Sequence, residues 1–281
     1  MTVTHLATPW LRRPRPHPNP AVRLLCLPHA GGSTALYRRW KDLLPPAIEP
    51  VLVCPPGREH RLDEPLPTEL PELVAALGQA AAPLLDRPWA AFGHSMGATV
   101  AHELVLWLLE RGHRAPEHLF LSARKAPQHH RGGTAHLLDD DALSEHLIRL
   151  GGTSREVLAM AELRQLVLPA VRGDYRLIET YAANPDGPVP CPLTALLGTA
   201  DTEVTAQEAE GWEKWTTGPF QLLTFPGGHF YFSDHPEPVV ETVSRRLLTP
   251  PGRATSTASS PRKATNAPLR TGLSSTPRPT G

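Results

Sequence analysis

The chain has 281 residues, 40% of them hydrophobic, and its 28 basic side chains balance 28 acidic ones. It is long enough to bury a sizeable core, and an α/β fold of this length is commonly one domain. No run approaches the ~18 consecutive apolar residues of a membrane-spanning helix. Cys26, Cys54 and Cys191 are odd in number and lack Cys-x-x-Cys spacing, which argues against a disulfide framework or a zinc site and favours buried thiols.

Residues 1–20 are proline-rich, carry Arg12, Arg13 and Arg15, and lack the apolar stretch of a secretion signal. They are expected to be flexible, with the folded domain over 21–249. Arg23-Leu24-Leu25-Cys26-Leu27 reads as a strand, followed by the glycine-rich loop Pro28-His29-Ala30-Gly31-Gly32-Ser33. A phosphate loop would need Gly-Lys-Ser/Thr after it, which is missing, and His29 is read as shaping the loop. Val51-Leu52-Val53 is a second strand and 70–85 a helix. Trp89-Ala90-Ala91-Phe92 is a third strand, interrupted by Gly93-His94-Ser95-Met96-Gly97 before a helix resumes at Ala98.

Strand, abrupt turn and helix around Gly-x-Ser-x-Gly form the context of a nucleophile elbow, in which a strained serine is pushed out above a sheet. A serine hydroxyl is a poor nucleophile near neutral pH, so it needs a histidine base and an acid to orient that base. In this type of site the chain order is Ser, Asp or Glu, then His. Downstream of the strand His118-Leu119-Phe120-Leu121, the apolar run Pro192–Gly198 reads as a strand with Asp201 just past its end. Gln221-Leu222-Leu223-Thr224-Phe225 is another, followed by Pro226-Gly227-Gly228-His229. Both residues fall in loops at the carboxyl ends of strands, where a parallel sheet displays its chemistry. Asp201 is preferred to Glu203, and His229 to His235, which falls at the start of the last helix. The oxyanion formed when a carbonyl is attacked needs two N–H donors. The backbone amides of Met96, next to the nucleophile, and Ala30, in the glycine-rich loop, are assigned to it.

Between Lys125 and Val189 the strand–helix alternation lapses. A helix begins at Asp139-Asp140-Asp141, acidic where its dipole favours acids, and ends at Leu150-Gly151-Gly152; a second covers 162–181. This helical insertion, about 126–188 and placed after the sixth strand, is expected to lie over Ser95 as a lid. Residues 250–281 have five Arg or Lys and no acid, too little apolar surface to offset ordering entropy, and are expected to be disordered. Taking the three N-terminal arginines and these five from a net charge of zero leaves the body between them at −8, which disfavours nucleic-acid binding by the folded domain.

As a set, these motifs resemble the stand-alone type II thioesterases that accompany modular polyketide and nonribosomal peptide synthases. The segments that carry the resemblance are Leu27-Pro28-His29-Ala30-Gly31-Gly32, Pro56-Gly57-Arg58-Glu59, Phe92-Gly93-His94-Ser95-Met96-Gly97-Ala98, Ser122-Ala123-Arg124-Lys125-Ala126-Pro127, Leu150-Gly151-Gly152-Thr153, Asp174-Tyr175, Cys191 through Asp201, and Gly228-His229-Phe230-Tyr231-Phe232. They run collinearly through nearly all of residues 23–249; the two ends are longer and more proline-rich than the family pattern. The resemblance implies an α/β-hydrolase fold, a mainly parallel sheet with helices on both faces. It also implies a cytoplasmic enzyme without metal or cofactor that hydrolyses acyl groups from the phosphopantetheine arm of acyl or peptidyl carrier proteins, clearing stalled synthases. Family roles fall on Ser95, His229, Asp201, Met96 and Ala30. An acidic carrier would need a local basic patch on this acidic body, and Arg124, Lys125 and Arg131, with His129 and His130, are the choice made from sequence. The alternatives are a small-ester carboxylesterase on the same triad, a releasing thioesterase cut from a synthase terminus, and a non-catalytic carrier-binding module.

Overall fold

A computed structural model describes residues 8–183 and 187–249. In chain order its elements are β1 (Leu11–Arg12), β2 (Val22–Leu27), α1 (Trp40–Leu43), β3 (Ile48–Val53), α2 (Leu70–Ala81), β4 (Trp89–His94), α3 (Met96–Glu110), β5 (His118–Ser122), α4 (Asp140–Leu150), α5 (Arg155–Ala159), α6 (Ala161–Glu179), β6 (Leu193–Gly198), α7 (Ala206–Glu210), β7 (Phe220–Phe225) and α8 (Glu237–Leu248). The strands form one sheet in the order β1-β3-β2-β4-β5-β6-β7. β2 to β7 are parallel, and β1 lies antiparallel on the β3 edge.

The inner strands are buried on both faces, which is why they read as continuous apolar runs rather than alternating ones. The period of two is still visible in where each side chain goes. Leu25 and Leu27, Val51 and Val53, Ala91, and Leu119 and Leu121 point to one face, where α2 and α3 cover them. Leu24 and Cys26, Ile48 and Leu52, Phe92, and Phe120 point to the other, against Tyr37, Trp40, Phe232 and the apolar side of α8. On that second face Trp40 meets Phe92 edge-on with ring centroids 4.8 Å apart, and Tyr37 meets Trp40 at 5.2 Å, a geometry worth about 0.5–1.5 kcal/mol per pair beyond burial.

The strand order reverses between β2 and β4. Its consequence is a crevice at their carboxyl ends, the usual ligand position in an open parallel sheet. The glycine-rich loop follows β2 and Ser95 follows β4, and the register places Leu27 opposite Gly93. The helical segment leaves β5 and returns to β6, so it follows the fifth strand in chain order rather than the sixth. Its first helix is bounded as the sequence indicates: the Asp139 side chain accepts from the Ala142 amide at 2.8 Å, and Gly151 ends it at φ +82°. The five-residue α5 was not anticipated.

Flexibility of 1–20 is corrected over residues 8–20. Its arginines are not a solvated cluster but clamps. Arg13 Nε donates to the buried Glu49 carboxylate at 2.6 Å, and Arg23 Nε donates to its other oxygen at 3.1 Å. Arg15 donates to the carbonyls of Leu44, Pro45 and Ile48, and Arg61 stacks 4.0 Å over the Trp10 ring. A carboxylate as buried as Glu49 demands cations, and the terminus supplies one. Residues 1–7 and the tail expected to be disordered, 250–281, lie outside the described residues. Cys26, Cys54 and Cys191 are free and buried. No described helix is long and apolar enough to cross a membrane.

One buried histidine gives the fold an acid sensitivity. His118 stacks on Phe120 at 4.3 Å and shares a 2.8 Å hydrogen bond with Thr194 Oγ1, joining β5 to β6. Burial, reinforced by nearby Arg246, pushes its pKa down to about 3. Between an unfolded value near 6.5 and that folded value only the unfolded chain takes up the proton, so stability is lost as pH falls through this window, by up to about 1.4 kcal/mol per pH unit. His118→Phe is therefore expected to lose less melting temperature than wild type between pH 6.5 and 4.5; equal losses in paired thermal melts would refute this.

Candidate active site

Ser95 occupies the junction of β4 and α3 at φ +55° and ψ −116°, a region that side chains avoid. Its amide is held by the Ser122 carbonyl at 2.8 Å, so neighbouring β5 maintains the strain. The flanking glycines are needed for space. A Cβ on Gly93 would lie 2.1 Å from the Gly97 oxygen, and one on Gly97 would lie 2.3 Å from the Leu27 oxygen and 2.6 Å from that of Pro28. The turn thus sits directly against the backbone that leads into the glycine-rich loop.

Three residues distant in sequence converge here. His229 Nε2 is 3.0 Å from Ser95 Oγ, and His229 Nδ1 is 3.0 Å from Asp201 Oδ2. The Asp201 side chain is fully buried, and its remaining oxygen accepts from the amides of Glu203 at 2.8 Å and Val204 at 3.2 Å. Glu203, the alternative acid, therefore contributes its backbone to hold Asp201 in place, while its side chain is exposed; His235 is also exposed. Gly198 lets the β6 and β7 loops touch, since a Cβ there would lie 2.2 Å from the Gly228 oxygen.

Two further histidines surround this line. His29 packs edge-on against Phe230 at 4.6 Å, and His94 lies 5.3 Å from the His229 ring. His94 Nδ1 bonds Ser122 Oγ at 2.9 Å, and Ser122 in turn bonds the Tyr231 hydroxyl at 2.8 Å. Burial pushes the pKa of His29 down to about 3, with help from His229 and Arg58, and burial drives that of His94 well below its usual value. Both stay neutral near pH 7, so neither places a cation beside the His229 ring. The sequence offers no signal for the Tyr231–Ser122–His94 chain.

The amides of Met96 and Ala30 make no hydrogen bond among the described residues. Ala30 lines a cavity of about 380 Å³ that reaches Ser95 and His229, with Leu147, Leu150, Val171 and Tyr175 of α4 and α6 and Ala35, Leu36 and Phe230 also in its walls. It joins the polar corner at Ser95 and His229 to the apolar side chains of α4 and α6, a combination common in small-molecule sites.

The basic cluster chosen from sequence does not form a cationic surface. Arg124 is half-buried and bonds His130 Nδ1 at 3.2 Å, and burial brings its pKa down to about 10. Lys125 pairs with Glu208 at 3.4 Å. Of the three cations only Arg131 is exposed. One group of metal-type ligands occurs among the described residues, Cys54, Glu59 and His60. Arg12 occupies it, with its guanidinium 2.8 Å from His60 Nδ1 and 3.2 Å from Glu59, and a cation there repels a metal ion.

A family model described as thioesterase domain matches residues 22–247. Thioesterase PikA5 of Streptomyces venezuelae is 40% identical over 249 residues, which cover 86% of this chain and 87% of PikA5. Among solved structures, the type II thioesterase BorB from the borrelidin biosynthetic cluster is 43% identical with a TM-score of 0.78, over 85% of this chain and 97% of its own. YbtT, a type II thioesterase from the yersiniabactin NRPS/PKS pathway, is 30% identical with a TM-score of 0.76, over 85% and 98%.

The close approach at Gly97 makes a specific demand. Gly97→Ala must push α3 away from the end of β2, at an overpacking cost of about 1–3 kcal/mol, and it separates the Met96 amide from the Ala30 loop. It is expected to lower turnover far more than Gly112→Ala, where φ is +79° but nothing lies within 4 Å of an added Cβ. Melting curves and initial rates on the two variants check this. Matching rates would show that the contact does not set the site.

Proposed function

Because the chain belongs to the thioesterase-domain family, we propose that Ser95, His229 and Asp201 are its catalytic triad and that it cleaves acyl groups from the phosphopantetheine arm of carrier proteins. The chain is a thioester hydrolase of the α/β-hydrolase fold, of the type II class found in polyketide and nonribosomal peptide clusters. The observation that supports the triad is the unbroken hydrogen-bonded line from Ser95 Oγ through His229 to Asp201, with both contacts at 3.0 Å.

In this mechanism Ser95 Oγ attacks the thioester carbonyl while His229 Nε2 takes the hydroxyl proton. Asp201, held by two amides, accepts from Nδ1–H and so presents Nε2 as the base. The carbonyl oxygen becomes an oxyanion and rests on the amides of Met96 and Ala30, fixed dipoles that need no reorganisation as the charge forms. The carbon–sulfur bond then breaks, His229 returns its proton to the departing thiol, and Ser95 is left acylated. A water deprotonated by His229 attacks the acyl-enzyme, and the free acid leaves. The helices between β5 and β6 serve as the lid of this cavity, and the enzyme works in the cytoplasm, where the synthases act.

Ser95→Ala and His229→Ala are each expected to lose roughly 10⁴-fold or more in kcat, because the triad acts as one unit. Asp201→Asn is expected to fold and still lose a comparable factor through the wrong histidine tautomer. Single-turnover rates on an acyl thioester measure this, and an Asp201→Asn rate near wild type would move the acid elsewhere.

A carrier protein makes contacts remote from the bond being broken, and these can help align the thioester. kcat/KM is accordingly expected to be higher for an acyl-carrier protein than for the same acyl group on CoA. Equal values would favour a generic esterase, and no turnover of either, together with no labelling by a fluorophosphonate, would favour a non-catalytic binding module.

A further inference from the structure

Arg58 and Asp174 form a buried ion pair that the catalytic cycle described above leaves unused. Arg58 Nη1 and Nη2 donate to the two Asp174 oxygens at 2.6 and 3.0 Å, and their side chains are 7% and 3% exposed. Burying two charges is costly, and an apolar pair of equal volume would commonly serve stability as well. The remaining bonds of the pair indicate what it does. Asp174 Oδ2 also accepts from the Gly31 amide at 2.7 Å. Arg58 Nη1 also donates to the Gly32 carbonyl at 3.0 Å, and its Nε donates to Pro56 O at 3.0 Å.

These contacts fix the peptide units around Ala30 one by one. The unit that carries the Ala30 N–H has its carbonyl, that of His29, tied to the Gly32 amide at 2.9 Å. The next unit is tied through the Gly31 N–H to Asp174, and the Gly32 carbonyl is tied to Arg58. Gly31 is at φ +74°, and a Cβ there would lie 2.3 Å from Val171 of α6, so the loop lies flush against that helix. Among the described residues the Ala30 N–H is thereby left without a partner, between bonded peptide units.

We propose that Asp174 and Arg58 are positioning residues that orient the Ala30 amide as an oxyanion donor, and that α6 thereby sets the oxyanion hole. An apolar pair could fill the same space, but it would leave the Gly31 N–H without an acceptor and the loop free to turn. The proposal rests on the assignment of Ala30 as a donor.

The test compares wild type with Asp174→Asn and Arg58→Lys at a temperature below the melting point of each. Kinetics on an acyl thioester are paired with inhibition by an alkyl trifluoromethyl ketone, whose carbonyl adds the serine oxygen to give a tetrahedral oxyanion. Expected are a fall in kcat of about 10²-fold, the scale of one lost donor, a matching rise in Ki, KM within about three-fold, and an unmoved pH–rate midpoint. Folded variants that keep kcat and Ki within two-fold of wild type, or that lose only in KM, overturn the proposal. If Asp174→Asn does not fold, Arg58→Lys, which retains the buried cation, decides by the same criteria. A Ser95→Ala control separates the two levels. Turnover in that variant overturns the mechanism itself, whereas an inactive Ser95→Ala beside fully active Asp174 and Arg58 variants overturns only the positioning role.

Discussion

The contact on which the rest of this structure depends is backbone against backbone, where Gly97 meets the carbonyls of Leu27 and Pro28. Side chains would hold these segments apart. With none there, the start of α3 and the end of β2 lie close enough for one small volume to be reached from both. Ser95 is strained by that geometry, and strain persists only where surrounding structure over-determines it. Here β5 supplies the Ser122 carbonyl on one side and the β2 loop closes the other. The reversal of strand order between β2 and β4 is the fold-level form of the same constraint, because it brings two loops together at one end of a sheet that is otherwise packed on both faces.

Charge is used sparingly inside. The hydrogen-bonded line from Ser95 through His229 has one acid, Asp201, with each oxygen satisfied, and two histidines beside it are held neutral by burial. Elsewhere, buried ions join segments that have little sequence in common. Glu49 ties the N-terminal segment to β2, and Asp174 ties the cap helices to the loops after β2 and β3. Each pairing would be costly if one partner were missing, which makes such clamps specific as well as strong.

The cap segment behaves as part of the site rather than as a separate cover. Its helices supply the apolar wall through Leu147, Leu150 and Val171, and its carboxylate reaches down to the loop that faces Ser95. Gly152 is close enough to the Phe230 ring that an added Cβ would lie 2.6 Å away, so the cap is also fitted to the loop that carries His229. Arg124, which looks like a surface cation in the sequence, is half-buried and bonded to His130 instead.

Much of the architecture was legible because it is written in local terms. Apolar runs of strand length mark β2 to β7, the spacing of glycines marks the turn at Ser95, and acids followed by Leu150-Gly151 mark the limits of α4. The order Ser95, Asp201, His229 could be read because loops after parallel strands must share one end of the sheet. The sequence was silent on β1, which has two residues and only an edge to pair with, and it misplaced Arg13 and Arg15, whose partners Glu49 and the Leu44–Ile48 carbonyls lie more than 25 residues away. For Asp174 a signal did exist. It falls three and four residues after Val171 and Ala170 and four before Ile178, on the buried stripe of α6, where an acid needs a cation. Which cation, and that the Gly31 amide shares the Asp174 carboxylate with it, could be decided only by tertiary structure, because the energy of a buried charge depends on everything packed around it and not on its neighbours in the chain.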